Sequence, residues 1–182
     1  MAYGPFRVIG IKVGLCLCAS EKSVPLTADL IGIEGVCSLE TFPWAGVRSG
    51  LENDAYASHL GIELLAMEAG YARARMPVKA FHGNMHGMVH GGAMFSLADF
   101  VFQAASNSHG VVAVAINANI SYIQAPQTQV LSAEATEVSR TRRLATYSIK
   151  VTEEGDKLVA MFQGTVYRMP DKAVSTDSSG ET

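Results

Sequence analysis

The segment FHGNMHGMVHGG, residues 81–92, contains the side chains most suited to chemistry. His82, His86 and His90 are spaced four residues apart, so on a helix they would share one face and could bind zinc. The four glycines of the segment make a helix unfavourable, at roughly 1 kcal/mol each relative to alanine. No carboxylate or cysteine occurs in the segment to complete a ligand set. We therefore expect no metal site here.

Glycines ahead of a helix can also bind phosphate, but the segment matches neither the G-x-x-x-x-G-K-[ST] nor the G-x-G-x-x-G spacing. Gly91 and Gly92 begin an apolar stretch, AMFSLADFVFQAASN, that predicts a buried helix. Their N–H groups would lie at the positive end of its dipole without helical partners, where they can polarise a carbonyl group. The alternative is that the two glycines only permit a tight turn and close packing.

Asp99 lies inside this apolar stretch, where an unpaired carboxylate is costly to bury. Spacings of three, four and three residues place it on one helix face with Ser96, Gln103 and Ser106. Such a polar stripe fits two explanations. The residues form hydrogen bonds inside a subunit interface, or they line an active site in which the carboxylate is a base or nucleophile.

Gly91 and Asp99 are eight residues apart, which is about 12 Å along a helix at roughly 1.5 Å per residue. One small carbonyl group cannot contact both. If both act on the same atom, the N–H must come from one chain and the carboxylate from a second chain, across a two-fold interface. A catalytic interpretation therefore predicts an obligate homodimer with two equivalent shared sites.

The elements that must position these residues follow from alternation and turn signals. Residues 49–61 predict a short helix, with Ser49 as N-cap and Gly61 as a left-handed stop. Two strands within 62–78 precede the central helix, and four strands follow it, at 111–123, 130–138, 144–154 and 157–169. The order predicts an α+β fold in which an antiparallel sheet of five to six strands wraps around a central helix.

Composition limits the organisation and the partners. A chain of 182 residues, 48% hydrophobic, predicts one domain, which we place at 51–169, after an N-terminal extension (1–50) and before a polar tail (170–182). Fourteen Lys and Arg against 17 Asp and Glu provide no basic field for nucleic acid or a membrane surface. Three cysteines within the first 40 residues suit a reducing compartment, so a cytoplasmic location is expected.

These residues resemble a known family. The stretches ENDAYASHLGIELL, NMHGMVHGGAMFSLADFVF and ISYIQAP are similar to those of hotdog-fold acyl-CoA thioesterases, most closely the PaaI-type enzymes of phenylacetate degradation. The resemblance covers about residues 51–169 and leaves out the first 50. It implies hydrolysis of acyl-CoA thioesters, including aryl-acetyl-CoA, with coenzyme A as part of the substrate and no cofactor. It also implies a homotetramer made of two dimers with shared sites.

The resemblance implies roles for individual residues. Asp99 falls on the family's catalytic carboxylate, Gly91 on the glycine whose N–H polarises the thioester carbonyl, and Asn84 on the asparagine that holds the carbonyl or the water. The residues that it places at the substrate are His90, Gly92, Tyr122, Arg140, Arg142 and Arg143. Some relatives have a serine or threonine near Ala115 to assist the water; here that task falls to Asn84, or to the Ser96 and Gln103 side of the helix.

Alternatives remain at this stage. Arg140, Arg142 and Arg143 lie in SRTRR, where they suit CoA phosphates or form only a solvated basic turn. An enoyl-CoA hydratase or dehydratase of the same fold uses an Asp and His pair, but no histidine lies one turn from Asp99. A non-catalytic acyl-CoA sensor normally carries a DNA-binding helix pair, for which residues 1–50 show neither the periodicity nor a basic surface.

Overall fold

The computed structural model describes residues 45–174, which contain the central helix and all six predicted strands. The helices of this part are α1 (Ala45–Glu52), α2 (Ala55–Leu60) and α3 (Gly91–Asn107). The strands are β1 (Glu63–Glu68), β2 (Tyr71–Pro77), β3 (Val111–Tyr122), β4 (Val130–Arg140), β5 (Leu144–Glu153) and β6 (Lys157–Ala173). None of these helices is long and apolar enough to cross a membrane. Residues 1–44 of the predicted extension and residues 175–182 of the predicted tail lie outside the described residues.

The six strands form one antiparallel sheet in the order β1-β2-β4-β5-β6-β3. Helix α3 contacts every strand of this sheet, so it is the centre of the hydrophobic core. The prediction of an α+β hotdog fold, with an antiparallel sheet around a central helix, is therefore confirmed. Strands β1 and β3 are the two edges of the sheet.

The composition of α3 explains how closely the sheet covers it. Leu97 and Val101 are fully buried, and small buried residues of the same helix, such as Ala98 and Ala104, allow the strands to approach. Phe102 packs edge-on against Tyr147 of β5, with the ring centroids 5.6 Å apart. The opposite wall of its pocket is Gly164 of β6, where an added Cβ would lie 2.6 Å from the Phe102 ring. Position 164 is therefore glycine because a side chain there would overlap the Phe102 ring.

Two local features differ from the sequence prediction. Ser49 is not an N-cap: it lies within α1, and Asp54 instead caps α2 by accepting hydrogen bonds from the N–H groups of Tyr56 and Ala57. Gly61 ends α2 in the left-handed conformation, as predicted. The predicted domain boundary at residue 50 falls inside α1, and the boundary at 170 falls inside β6, which pairs with β3 as far as Ala173.

Replacing Gly164 by alanine tests the packing of α3 against β6. The added methyl group has no room beside Phe102, so we expect the free energy of unfolding to fall by about 1–3 kcal/mol. Urea denaturation measures this change. Gly50→Ala is the matched control, because Gly50 is an exposed position of α1 with nothing within 4 Å of its added Cβ. Alanine there should be neutral or stabilising by up to about 1 kcal/mol. Equal effects of the two substitutions would contradict the packing argument.

Candidate active site

The N-terminus of α3 is capped by His90, a role that the sequence did not indicate. His90 has an extended backbone (φ −66, ψ 136), and its Nδ1 accepts a hydrogen bond of 2.8 Å from the N–H of Gly92. The Gly92 N–H is therefore occupied. The N–H of Gly91 has no hydrogen-bond acceptor among residues 45–174. Of the two glycines, Gly91 is the one whose N–H is available to a ligand at the positive end of the helix dipole.

Tyr122, at the end of β3, supports the same turn. Its hydroxyl donates a hydrogen bond of 3.0 Å to the carbonyl oxygen of Gly91. A Cβ on Gly91 would lie 3.0 Å from the Tyr122 ring, tighter than almost all real contacts. A larger residue at position 91 would require the exposed Tyr122 ring to shift by a few tenths of an ångström.

The loop before α3 is closed by Asn84. Its Oδ1 accepts hydrogen bonds from the N–H groups of His86 (2.9 Å) and Met88 (3.1 Å), and its own N–H donates to the Met88 carbonyl. Gly87 has the positive φ, +74°, that this tight loop requires. The loop is joined to the α3 turn because the His90 N–H donates to the His82 carbonyl. The side-chain oxygen of Asn84 therefore holds the loop closed, and its Nδ2 group is left to donate a hydrogen bond to a substrate or water.

The three regularly spaced histidines have separate environments. His82 is buried, its Nδ1 accepts a hydrogen bond from the Lys79 N–H, and burial lowers its pKa, which keeps the ring neutral. His86 is exposed, and His90 is the α3 cap. Within residues 45–174, no three His, Cys, Asp or Glu side chains are grouped closely enough to hold a metal ion.

The predicted polar stripe of α3 lines three adjoining cavities. The first, near the α3 N-terminus, measures about 470 Å³, and its lining includes His90, Gly92, Ser96 and Tyr122. The second, about 250 Å³, shares Ser96 with the first and extends to Asp99 and Gln103. The third, about 500 Å³, shares Asp99 and Gln103 with the second. We refer to them as the first, second and third cavities.

Asp99 lies where the second and third cavities meet. Its carboxylate is half-buried, and burial raises its pKa above the ordinary value for aspartate. No charge or hydrogen-bond donor of the described residues opposes this effect. A carboxylate in this setting is a stronger base than an exposed one, which suits it to remove a proton from water.

The turn between β4 and β5 carries the three candidate arginines. Arg140 donates from Nε to Glu137 (3.1 Å), whereas Arg142 and Arg143 are exposed and form no ion pair with any described residue. Arg168 holds the turn, since its side chain donates to the Thr141 carbonyl and its N–H donates to the Arg143 carbonyl. Sequence reasoning did not identify Arg168, because nothing local distinguishes it from other strand residues.

This turn and Gly91 lie at opposite ends of α3. Arg168 pairs with Ala113 of β3, and the Ala113 N–H donates to the side chain of Asn107, the last residue of α3. Helix α3 has 17 residues, so its ends are roughly 25 Å apart at 1.5 Å per residue. One chain therefore does not bring the arginines to the N–H of Gly91.

Tyr56 of α2 is a further residue that the sequence did not reveal. It lines the first and second cavities, and its hydroxyl lies 3.1 Å from Ser96 Oγ, which in turn donates to the Gly92 carbonyl. The sequence signal that could have located Tyr56 was Asp54, two residues earlier, because this N-cap residue sets where α2 begins. Tyr56 extends the polar network from the α3 N-terminus toward Asp99.

Comparisons with known proteins show the family to which the chain belongs. A sequence profile of the thioesterase superfamily matches residues 86–160, which include Gly91 and Asp99. The acyl-coenzyme A thioesterase PaaI of Escherichia coli K12 is 35% identical over 127 residues, 69% of this chain and 91% of that protein. The solved structure of E. coli PaaI, from the phenylacetic acid degradation operon, has a TM-score of 0.67 and covers 72% of this chain and 96% of that chain. A mutant of the phenylacetic acid degradation protein PaaI from Thermus thermophilus is 39% identical with a TM-score of 0.61, over 64% of this chain and 100% of that chain.

Replacing Asp99 by asparagine tests how far the half-buried charge of Asp99 destabilises the folded state. Because burial raises the pKa of Asp99, the fold favours the protonated carboxyl group, and at pH 7 the charged form destabilises the folded state. Asparagine removes that cost, so we expect Asp99→Asn to raise Tm at pH 7. The gain should shrink as the pH falls through the raised pKa and vanish below about 3.9, the ordinary aspartate value. Thermal melts at several pH values measure this, and a lower Tm for the variant at pH 7 would contradict it.

Proposed function

Because the chain belongs to the thioesterase superfamily, we propose that it hydrolyses acyl-CoA thioesters to a free acid and CoA. The observation that carries the proposal is Asp99, a half-buried carboxylate with a raised pKa at the junction of two cavities. The available N–H of Gly91 at the α3 N-terminus supports it, because a thioester carbonyl needs a donor for the charge that develops on its oxygen.

The proposed chemistry assigns each residue one task. As a base, Asp99 takes a proton from water while the water oxygen bonds to the thioester carbon, and the Gly91 N–H stabilises the resulting alkoxide. The carbon–sulfur bond then breaks, and the CoA thiolate leaves with the proton that Asp99 returns. As a nucleophile, Asp99 would instead attack the thioester carbon and expel the CoA thiolate, which forms a mixed anhydride that water hydrolyses. Asn84 contributes its Nδ2 group to the carbonyl or the water.

We propose that two subunits complete each site. In one chain Gly91 and Asp99 lie about 12 Å apart along α3, too far to act on one carbonyl group. Strand β3 supports a dimer, because it is an edge strand that exposes the apolar side chains of Val114, Ile116 and Tyr122, and Ile123 directly after it is also exposed. Such an edge normally pairs with another strand or is covered. A homotetramer of two such dimers stays a prediction.

The substrate residues of the proposal are His90, Gly92 and Tyr122 beside the carbonyl, and Arg140, Arg142 and Arg143 at the CoA phosphates. Arg142 and Arg143 are the stronger phosphate candidates, since Arg140 already binds Glu137. The third cavity, with Phe102 and Val166 in its wall, has the volume for an aryl-acetyl group. A place in phenylacetate degradation and a cytoplasmic location are further parts of the proposal. The PaaI relatives and the three cysteines near the N-terminus, respectively, support them.

Thioester hydrolysis is tested with a panel of phenylacetyl-, benzoyl- and straight-chain acyl-CoA esters, by measuring free CoA with a thiol reagent. We expect Asp99→Asn to lower kcat by roughly a hundredfold to ten-thousandfold, the usual contribution of a general base. A circular dichroism spectrum like that of the wild type is the control for folding. Turnover near the wild-type rate in the variant would remove Asp99 from the mechanism, and inactivity of the wild type on every ester would contradict the proposed function.

Complementation tests the shared site. Gly91→Pro removes the N–H, and His90 already has the extended backbone that a following proline requires. We expect Gly91→Pro and Asp99→Asn each to be inactive alone. A heterodimer of the two, purified through different tags, has one site with both substitutions and one with neither, so it should recover about half the wild-type activity.

Homodimers of each variant, purified through both tags, are the controls. Each has a substitution in both sites and should stay inactive. A heterodimer without activity would show that Gly91 and Asp99 do not meet across the interface.

A further inference from the structure

We propose that the side-chain amide of Gln103 binds the water that Asp99 activates. The inference rests on the proposed function and on the general-base route. A base alone leaves the water free to rotate, so a second hydrogen-bonding group beside Asp99 is needed to direct its lone pair at the thioester carbon. The question is which described side chain can be that group.

Most polar neighbours of Asp99 are already committed. Ser96 donates to the Gly92 carbonyl and contacts Tyr56. Ser106 is buried and donates to the Gln103 carbonyl. Asn107 uses both its amide oxygen and its amide nitrogen to hold Ala113 at the start of β3. Each of these side chains is held in place by those hydrogen bonds, whereas the amide of Gln103 is held by none among the described residues.

Two other candidates also fail. Asn84 uses its Oδ1 to close the loop before α3, so it has only a donor left and cannot accept a hydrogen bond from the water. Ala115 lines the third cavity beside Asp99 but has no polar side-chain atom. Ala115 therefore cannot hold a water by a hydrogen bond from its side chain.

Gln103 lies close to Asp99, and its side-chain amide is free to bind a water. Its amide forms no hydrogen bond with any side chain or backbone group of residues 45–174. It lies one helical turn after Asp99, a spacing that brings the two Cβ atoms to about 5–6 Å. Asp99 and Gln103 are also the two residues that line both the second and the third cavity.

The geometry assigns the atoms of the step. The water donates one hydrogen to the Asp99 carboxylate and the other to Gln103 Oε1, which leaves an oxygen lone pair for the thioester carbon. As the carbon–oxygen bond forms, the first proton passes to Asp99, while the second stays on the new carboxyl group. The carbon–sulfur bond then breaks, and the proton on Asp99 neutralises the CoA thiolate.

Gln103→Met tests the water-binding role, because methionine keeps the length of the side chain and removes its hydrogen bonds. We expect kcat to fall roughly tenfold to a hundredfold, as for the loss of one oriented polar group in an active site. KM should stay within twofold, since the acyl group and CoA are still bound, and Tm should not change. Gln163→Met is the matched control, because Gln163 is an exposed glutamine of β6 between the buried residues Phe162 and Gly164.

Gln103→Glu supplies a readout that a structural role would not change. A second carboxylate one turn from Asp99 raises the pKa of Asp99 further, since two negative charges share one cavity. The acidic limb of kcat/KM should therefore move to higher pH in Gln103→Glu and stay in place in Gln163→Glu. If Gln103→Met proves unstable, an unshifted acidic limb in Gln103→Glu would still refute the inference, because Gln103 would then lie too far from Asp99 to share its water.

The results separate the inference from the proposed function. Failure of the wild type on every ester would refute the proposed function itself. An active wild type with an inactive Asp99→Asn, but with kcat of Gln103→Met within twofold of normal, would refute the inference alone. A raised KM with normal kcat would also refute it, because Gln103 would then bind the acyl group and not the water.

Discussion

The arrangement of the whole domain depends on how much of α3 can be covered. This helix is apolar on most sides, and a six-stranded sheet encloses those sides so closely that only a glycine, Gly164, fits beside the Phe102 ring. The cavities run along the polar stripe of α3, where the packing around the helix is incomplete. The hydrophobic effect that builds the core thus also determines where a carboxylate can be half-buried without a partner.

Hydrogen bonding at the start of α3 determines which backbone group is left for a substrate. Every helix leaves its first N–H groups without helical partners. Here the imidazole of His90 accepts a hydrogen bond from the N–H of Gly92, and the Tyr122 hydroxyl donates one to the carbonyl of Gly91. What remains is the N–H of Gly91, on the preceding peptide, whose His90 carbonyl accepts hydrogen bonds from the N–H groups of Ala93 and Met94. His90 thus occupies the Gly92 N–H and leaves that of Gly91 as the free donor.

The sequence was sufficient for the features that depend on periodicity. Alternation predicted the six strands, and the run of apolar residues predicted α3 together with its polar face, so Asp99 and Gln103 could be placed on one side before any coordinates. The capping roles of Asp54 and His90 were missed, because several residues near each helix start could have served and only the actual backbone path selects among them. Arg168 and Tyr56 were missed for another reason: their contacts join segments far apart in the chain, which no local pattern encodes.

The length of α3 links the catalytic chemistry to assembly. Gly91 begins the helix, Asp99 lies in its middle, and the arginine turn is held near its end, so a single chain spreads the three proposed functions along the helix axis. In the proposed dimer, two antiparallel copies of the helix, related by a two-fold axis, would bring the start of one beside the middle of the other. The apolar edge strand β3 would provide the surface for that pairing.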